Sequence, residues 1–153
     1  MAFELKSSAF GQNQAIPKKY SCDGSDVSVP LSWNDPPQGA KSFALIADDP
    51  DAPRGTWVHW VLYDLPAGAQ DLPEGVATQE TLNDGAKQGK NDFGKIGYGG
   101  PCPPAGPAHR YHFKLYALDK LTAVRPGATK QQLLDAMKGH ILAQAELIGT
   151  YKR

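Results

Sequence analysis

The stretch "GPAHRYHFKLYAL" runs from Gly106 to Leu118, and its last ten residues alternate like a half-buried strand. Extended backbone sends His109, Tyr111, Phe113, Leu115 and Ala117 to one side and Arg110, His112, Lys114 and Tyr116 to the other. The first row has the composition of a core, yet it opens with an ionisable imidazole. A buried imidazole needs a hydrogen-bond partner, which the strand itself does not supply.

Two more segments repeat the pattern. "TWVHWVLYDL", Thr56–Leu65, is rich in aromatic and branched residues and reads as a strand whose odd positions Trp57, His59, Val61 and Tyr63 share a face. "SFALIA", Ser42–Ala47, is a continuous apolar run that suits a strand covered on both sides, and Asp49 continues the parity of Phe43, Leu45 and Ala47. Pro50 and Pro53 remove backbone donors and predict the end of that ladder. Three separate strands thus each set one titratable group on, or at the end of, an apolar row.

Further strands are predicted over Phe3–Phe10 and Val29–Trp33, the second closed by the turn "NDPPQG". From Pro66 to Pro104 the pattern gives way to glycine- and proline-rich connections of a length that compact domains usually reserve for function. Leu133, Leu134, Met137 and Ile141 then recur at helical spacing, with Thr129 as N-cap and Gly139 weakening the helix midway. "AELIGTYKR" reads as a last strand. With 16 glycines and 13 prolines scattered among short apolar runs, residues 1–153 are expected to form a single, mainly β domain. A sandwich of two antiparallel sheets with one short C-terminal helix and a final strand hides such strands without crossover helices.

Lys plus Arg and Asp plus Glu both total 16, so the chain lacks the long-range field that a nucleic-acid binder needs. Any anion must be caught locally. "MAFELKSSAF" is unlike a leader, and no apolar stretch approaches a membrane span, so a cytoplasmic protein without stable membrane insertion is expected. Cys22 and Cys102 have no metal-type spacing, and a cytoplasmic address favours two free thiols over a disulfide.

Taken singly, the misplaced polar residues have ordinary explanations. A histidine on an apolar face commonly bonds a carbonyl, Asp49 and Asp51 beside prolines suit turns, and Tyr111, Trp57, Trp60 and Tyr63 suit packing. Together they are harder to dismiss, because each buried polar group without a partner costs about 1–3 kcal/mol. Two imidazoles, a carboxylate and a phenol meeting at strand ends beside a Gly/Pro-rich loop would form a small polar pocket with apolar walls.

Two blocks, "DDPDAPRGTWVHWVLYDLP" at Asp48–Pro66 and "YGGPCPPAGPAHRYHFKLYALD" at Tyr98–Asp119, give the chain a specific likeness. It resembles the phosphatidylethanolamine-binding protein family, in particular the bacterial branch often named Raf-kinase-inhibitor-like. The resemblance implies a two-sheet Greek-key sandwich, a homodimer, and a shallow site for phosphate, acetate or a phosphoethanolamine head group at one end. The matching positions are Asp49, Asp51, His59, Gly100, Cys102, Pro103, His109 and Tyr111. The eukaryotic loop pattern Gly-x-Gly-Pro-Pro is here "GPCPP", with Cys102 in place of the second glycine. No stretch after Tyr151 matches the C-terminal helix of mammalian members, so kinase inhibition is not carried over.

The expected activity is non-catalytic binding of a small anion or phosphorylated small molecule, with no cofactor, in the service of a regulatory or signalling role. Asp49 and Asp51 would orient the imidazoles and favour their charged form, or receive a ligand ammonium while the histidines hold its phosphate. Arg110 and Lys114, on the opposite parity, are expected in solvent. Competing readings are a small hydrolase or other enzyme using either Cys102 as a thiol nucleophile with a histidine and an aspartate or the His/Asp pocket itself, a divalent metal site, and a protein-interaction module with a vestigial pocket and an aromatic rim at Trp57 and Trp60.

Overall fold

A computed structural model describes residues 2–153. The strands are β1 (Glu4–Lys6), β2 (Gln14–Ala15), β3 (Leu31–Asn34), β4 (Ser42–Asp49), β5 (Trp57–Pro66), β6 (Asp71–Leu72), β7 (Lys87–Gln88), β8 (His109–Leu118) and β9 (Ile141–Tyr151). One helix, α1 (Lys130–Met137), lies between β8 and β9, and a short 3-10 turn spans Lys18–Tyr20. The strands form a three-stranded sheet, β1-β3-β6, and a six-stranded sheet, β2-β9-β8-β4-β5-β7. Their pairings are antiparallel except for β2 with β9.

The larger sheet is covered on both faces. Leu5, Leu31, Trp33 and Leu72 of the small sheet pack against Phe43, Leu45, Phe113 and Leu115. On the other face Leu133 and Met137 of α1 close over Ala44, Ile46, Val61 and Tyr116. Every residue of β4 is therefore buried, which is why its sequence runs apolar without alternation. Each fully buried Phe, Leu or Ile contributes about 1.5–3 kcal/mol over its exposed state.

Strands β4 and β5 form a hairpin, β8 and β9 pair antiparallel across the connection that holds α1, and the two pairs join through β4 and β8 in register from Ser42↔Leu118 to Asp48↔His112. The connection of residues 67–108 leaves β5 on one side of β4 and re-enters the sheet on the other, a Greek-key crossover. Its final part consequently lies over the end of the sheet where β4 finishes and β5 and β8 begin.

Three sequence expectations shift. The first strand covers Glu4–Lys6 rather than Phe3–Phe10, because the Ser7 hydroxyl accepts a hydrogen bond from Ala9 N–H and turns the chain. Ile141 belongs to β9, not to the helix. The helix begins as expected at the Thr129 cap, which forms a reciprocal box with Gln132, but Gly139 at φ 81° reverses the chain after Met137.

The odd-numbered row of β5 is also broken. Ala47 pairs with Trp60 and Asp48 with Val58, leaving His59 as the extra residue of a bulge. Val61 and Tyr63 face α1, whereas Trp60 and Leu62 face the small sheet. His59 is re-aimed to stack edge-on against Tyr111 of β8, at a centroid distance of 5.2 Å.

A candidate ligand site where β4, β5 and β8 meet

At this end of the sheet lies a cavity of about 220 Å3. Asp49, His59, His109, Tyr111 and Pro103 are its buried part, and Ala52, Pro53, Trp57, Phe93, Cys102 and Pro104 surround the mouth. Asp49 is last on β4, His59 is the β5 bulge, and His109 and Tyr111 open the core row of β8. The two histidines and Tyr111 therefore converge because one bulge and one register bring three strand ends together.

Each imidazole is fixed through Nδ1. His59 Nδ1–H donates to the Gly99 carbonyl at 2.6 Å, and His109 Nδ1–H donates to Asp49 Oδ2 at 2.7 Å. A carbonyl and a carboxylate can only accept, so both rings hold their Nδ1 proton and leave Nε2 for another partner. Asp49 Oδ1 accepts from Asp51 N–H at 2.8 Å, which pins the carboxylate plane. Burial pushes the His59 pKa down, with the Gly99 bond and the Asp49 charge opposing it, so this ring favours its neutral form.

Tyr111 has no such tie. Its hydroxyl is buried and makes no hydrogen bond among the described residues. Burial first, and then the nearby Asp49 charge, hold its pKa above the ordinary phenol value, so it stays a donor. An unpartnered buried hydroxyl costs about 1–3 kcal/mol, a cost that a ligand acceptor would remove.

The loop beside the cavity is braced from outside. Cys22 and Cys102 form a disulfide with a Cα–Cα distance of 5.4 Å across a sequence separation of 80. The expectation of two free thiols therefore fails: spacing along the chain gave no sign that the crossover would set these residues side by side. Cys102 has no thiol to act as a nucleophile, which removes the basis of the thiol-hydrolase reading. Arg153 reaches the same loop, with Nη1 at 3.4 Å from the Pro103 carbonyl and Nη2 at 3.2 Å from Asp23.

Of the eight residues singled out from sequence, Asp49, His59, Cys102, Pro103, His109 and Tyr111 line the cavity. Asp51 does not. Its carboxylate accepts from Arg110 N, Nε and Nη2, each at 2.9 Å, and that guanidinium holds its pKa down at about 2. Gly100 also lies outside: its N–H donates to Asp26 Oδ1 at 2.8 Å, and a Cβ there would stand 2.1 Å from the Tyr20 carbonyl. Its lack of a side chain thus serves packing.

Other polar placements differ too. Arg110 is exposed yet paired with Asp51, and Lys114 turns toward buried Asp48, 3.9 Å away, beside Lys130 at 2.7 Å. Trp60 is no rim residue, since it is fully buried and its Nε1–H donates to Gln88 Oε1. Sequence reasoning missed Phe93, which stacks edge-on with both Trp57 and His59. Its signal was present: a lone phenylalanine in the polar, glycine-rich "NDGAKQGKNDFG".

A family sequence model described as phosphatidylethanolamine-binding protein matches residues 6–152. The chain belongs to that family. It is 52% identical over 149 residues to a UPF0098 protein of Methanothermobacter thermautotrophicus, covering 97% of this chain and 98% of that one. It is 50% identical to a UPF0098 protein of Aquifex aeolicus, with 98% and 88% covered. The crystal structure of a phosphatidylethanolamine-binding protein homologue from Chlamydia trachomatis superposes with TM-score 0.91 at 48% identity, covering 99% and 98%. Escherichia coli YbcL, described as a new member of the mammalian PEBP family, superposes with TM-score 0.90 at 32% identity over 100% of this chain and 99% of that chain. The two-sheet sandwich expected from sequence is thus the fold of this family. Among the described residues no helix is long and apolar enough to cross a membrane.

Proposed function

We propose that this protein binds small anions or phosphate-bearing head groups of the phosphoethanolamine kind, without catalysis, in the cavity of Asp49, His59, His109 and Tyr111. The observation that carries the reading is the Tyr111 hydroxyl, buried in the cavity wall with no acceptor at full hydrogen-bond geometry among the described residues, the Asp49 carboxylate being near enough only to raise its pKa. A phosphate oxygen would accept from it and lie beside two imidazoles whose Nε2 atoms remain available once Nδ1 is committed.

The charge of the site favours a particular protonation. Among the described residues lining the cavity there is no lysine or arginine, and Asp49 is negative. A protonated imidazole donates Nε2–H to an oxyanion, whereas a neutral ring accepts a proton carried by the phosphate itself. With the His59 pKa lowered by burial, the charged, donating form of this ring is populated only below the ordinary imidazole value of about 6.5. Phosphate affinity should therefore rise as pH falls below about 6.5.

Isothermal calorimetry with ethyl phosphate, repeated on His59→Ala and His109→Ala, tests the assignment. Saturable binding that weakens at least about tenfold in either variant is expected, as for loss of one charge-assisted hydrogen bond. Absence of binding, or affinity unmoved by both substitutions, would reject it.

A further inference from the structure

The cavity is divided chemically by depth. Its titratable side chains are buried, whereas its mouth is made of Ala52, Pro53, Trp57, Phe93, Pro104 and the Cys102 sulfur. Among the described residues at that mouth, none carries a charged side chain. Trp57 and Phe93 are 38% and 40% exposed, which is unusual for large aromatics in a fold that buries Trp33 and Trp60. Their rings stand 5.5 Å apart at an interplanar angle of 73°, forming two adjoining walls of a corner. Phe93 continues to His59 at 5.4 Å, and His59 to Tyr111 at 5.2 Å. A row of rings therefore leads from the mouth to the Asp49 end of the cavity.

We infer that this aromatic corner is a subsite for a quaternary ammonium group, so that the preferred ligand carries trimethylammonium a short distance from its phosphate. The inference rests on the phosphate reading above and adds the ligand's other half. Two near-perpendicular aromatic faces stabilise a cation through their quadrupoles. The Asp49 carboxylate adds a favourable field, opposed by Arg153, whose Nη1 stands 3.6 Å from the Cys102 sulfur. The choice of a quaternary over a primary ammonium follows from hydrogen bonding. A primary ammonium presents three N–H donors, and the side chains of the mouth offer no oxygen to receive them, which leaves it only main-chain carbonyls and residual water. A trimethylammonium has no donor to satisfy, and its methyl groups suit proline and aromatic walls.

The test compares three probes by calorimetry at one pH: phosphocholine, phosphoethanolamine and ethyl phosphate. The expected order has phosphocholine about five- to twentyfold tighter than ethyl phosphate, with phosphoethanolamine in between. In Trp57→Leu and in Phe93→Leu the phosphocholine to ethyl phosphate ratio should fall below about twofold. Phosphocholine should also alter tryptophan emission, because Trp57 is the exposed one of three. Equal affinity for phosphocholine and ethyl phosphate in the unmodified protein would overturn the ammonium subsite while leaving the phosphate site standing. A preference retained in both leucine variants would overturn it as well. Failure of all three probes to bind would remove the phosphate reading, and this inference with it.

Discussion

His109 Nδ1 lies 2.7 Å from Asp49 Oδ2, both groups buried, although 60 residues separate them along the chain. This contact joins the end of β4 to the start of β8, and it fixes which imidazole nitrogen remains for a ligand. Removing the carboxylate leaves the Nδ1–H without its acceptor in a place water reaches poorly. Asp49→Ala should lose about 1–3 kcal/mol of stability in urea denaturation, and Asp49→Asn, whose amide oxygen can still accept, should lose less. Equal losses would show that the hydrogen bond is not what Asp49 contributes.

Tyr111→Phe should separate stability from function. The hydroxyl has no partner at full hydrogen-bond geometry among the described residues, so its removal is expected to leave stability unchanged or to raise it by up to about 1 kcal/mol. Ethyl phosphate affinity should fall about tenfold. A variant that is less stable and binds as well as the parent would mean that the hydroxyl is satisfied internally.

The buried His59 ring makes folding pH-dependent. Its pKa in the folded protein is lowered, so below the ordinary value of about 6.5 the unfolded chain takes up a proton that the folded one refuses. The stability present above that pH is lost as pH falls toward the lowered value, with no further loss from this group beyond it. Urea midpoints measured for the parent and for His59→Asn should diverge across this window, the variant showing the shallower fall. Parallel curves would contradict the assignment.

Arg110→Ala should release Asp51. With the guanidinium gone, its carboxyl pKa should climb from about 2 toward the ordinary 3.8, as read by carbon NMR titration. The pair is exposed, so global stability at neutral pH should change by less than about 1 kcal/mol. Loss of phosphate binding in this variant would indicate that Asp51 shapes the cavity through the β4–β5 turn.

The Cys22–Cys102 bridge closes a long loop, and the double variant Cys22→Ser, Cys102→Ser should be less stable by about 2–5 kcal/mol under oxidising conditions. A dithiol reductant should lower the parent's thermal midpoint and leave the double variant's unchanged. An unchanged parent midpoint would show that the loop is held by Arg153, Asp26 and packing alone.

Periodicity and punctuation were enough to predict the strands β4, β5 and β8 and the Thr129 cap, because side-chain alternation and capping are local consequences of backbone geometry. The same alternation picked out Asp49, His59, His109 and Tyr111 as polar groups in apolar rows, and the two long motifs attached them to a family. Their meeting was inferred, but not the means. His59 reaches Tyr111 through a bulge, a one-residue register shift that inverts parity and leaves no mark on the hydrophobic pattern of β5. The Cys22–Cys102 bond, the turn of Asp51 to Arg110 and of Lys114 to Asp48, and the place of Phe93 at the mouth all depend on how residues 67–108 cross the sheet. Contacts of that range arise only when the whole chain closes, since no neighbour in sequence constrains them.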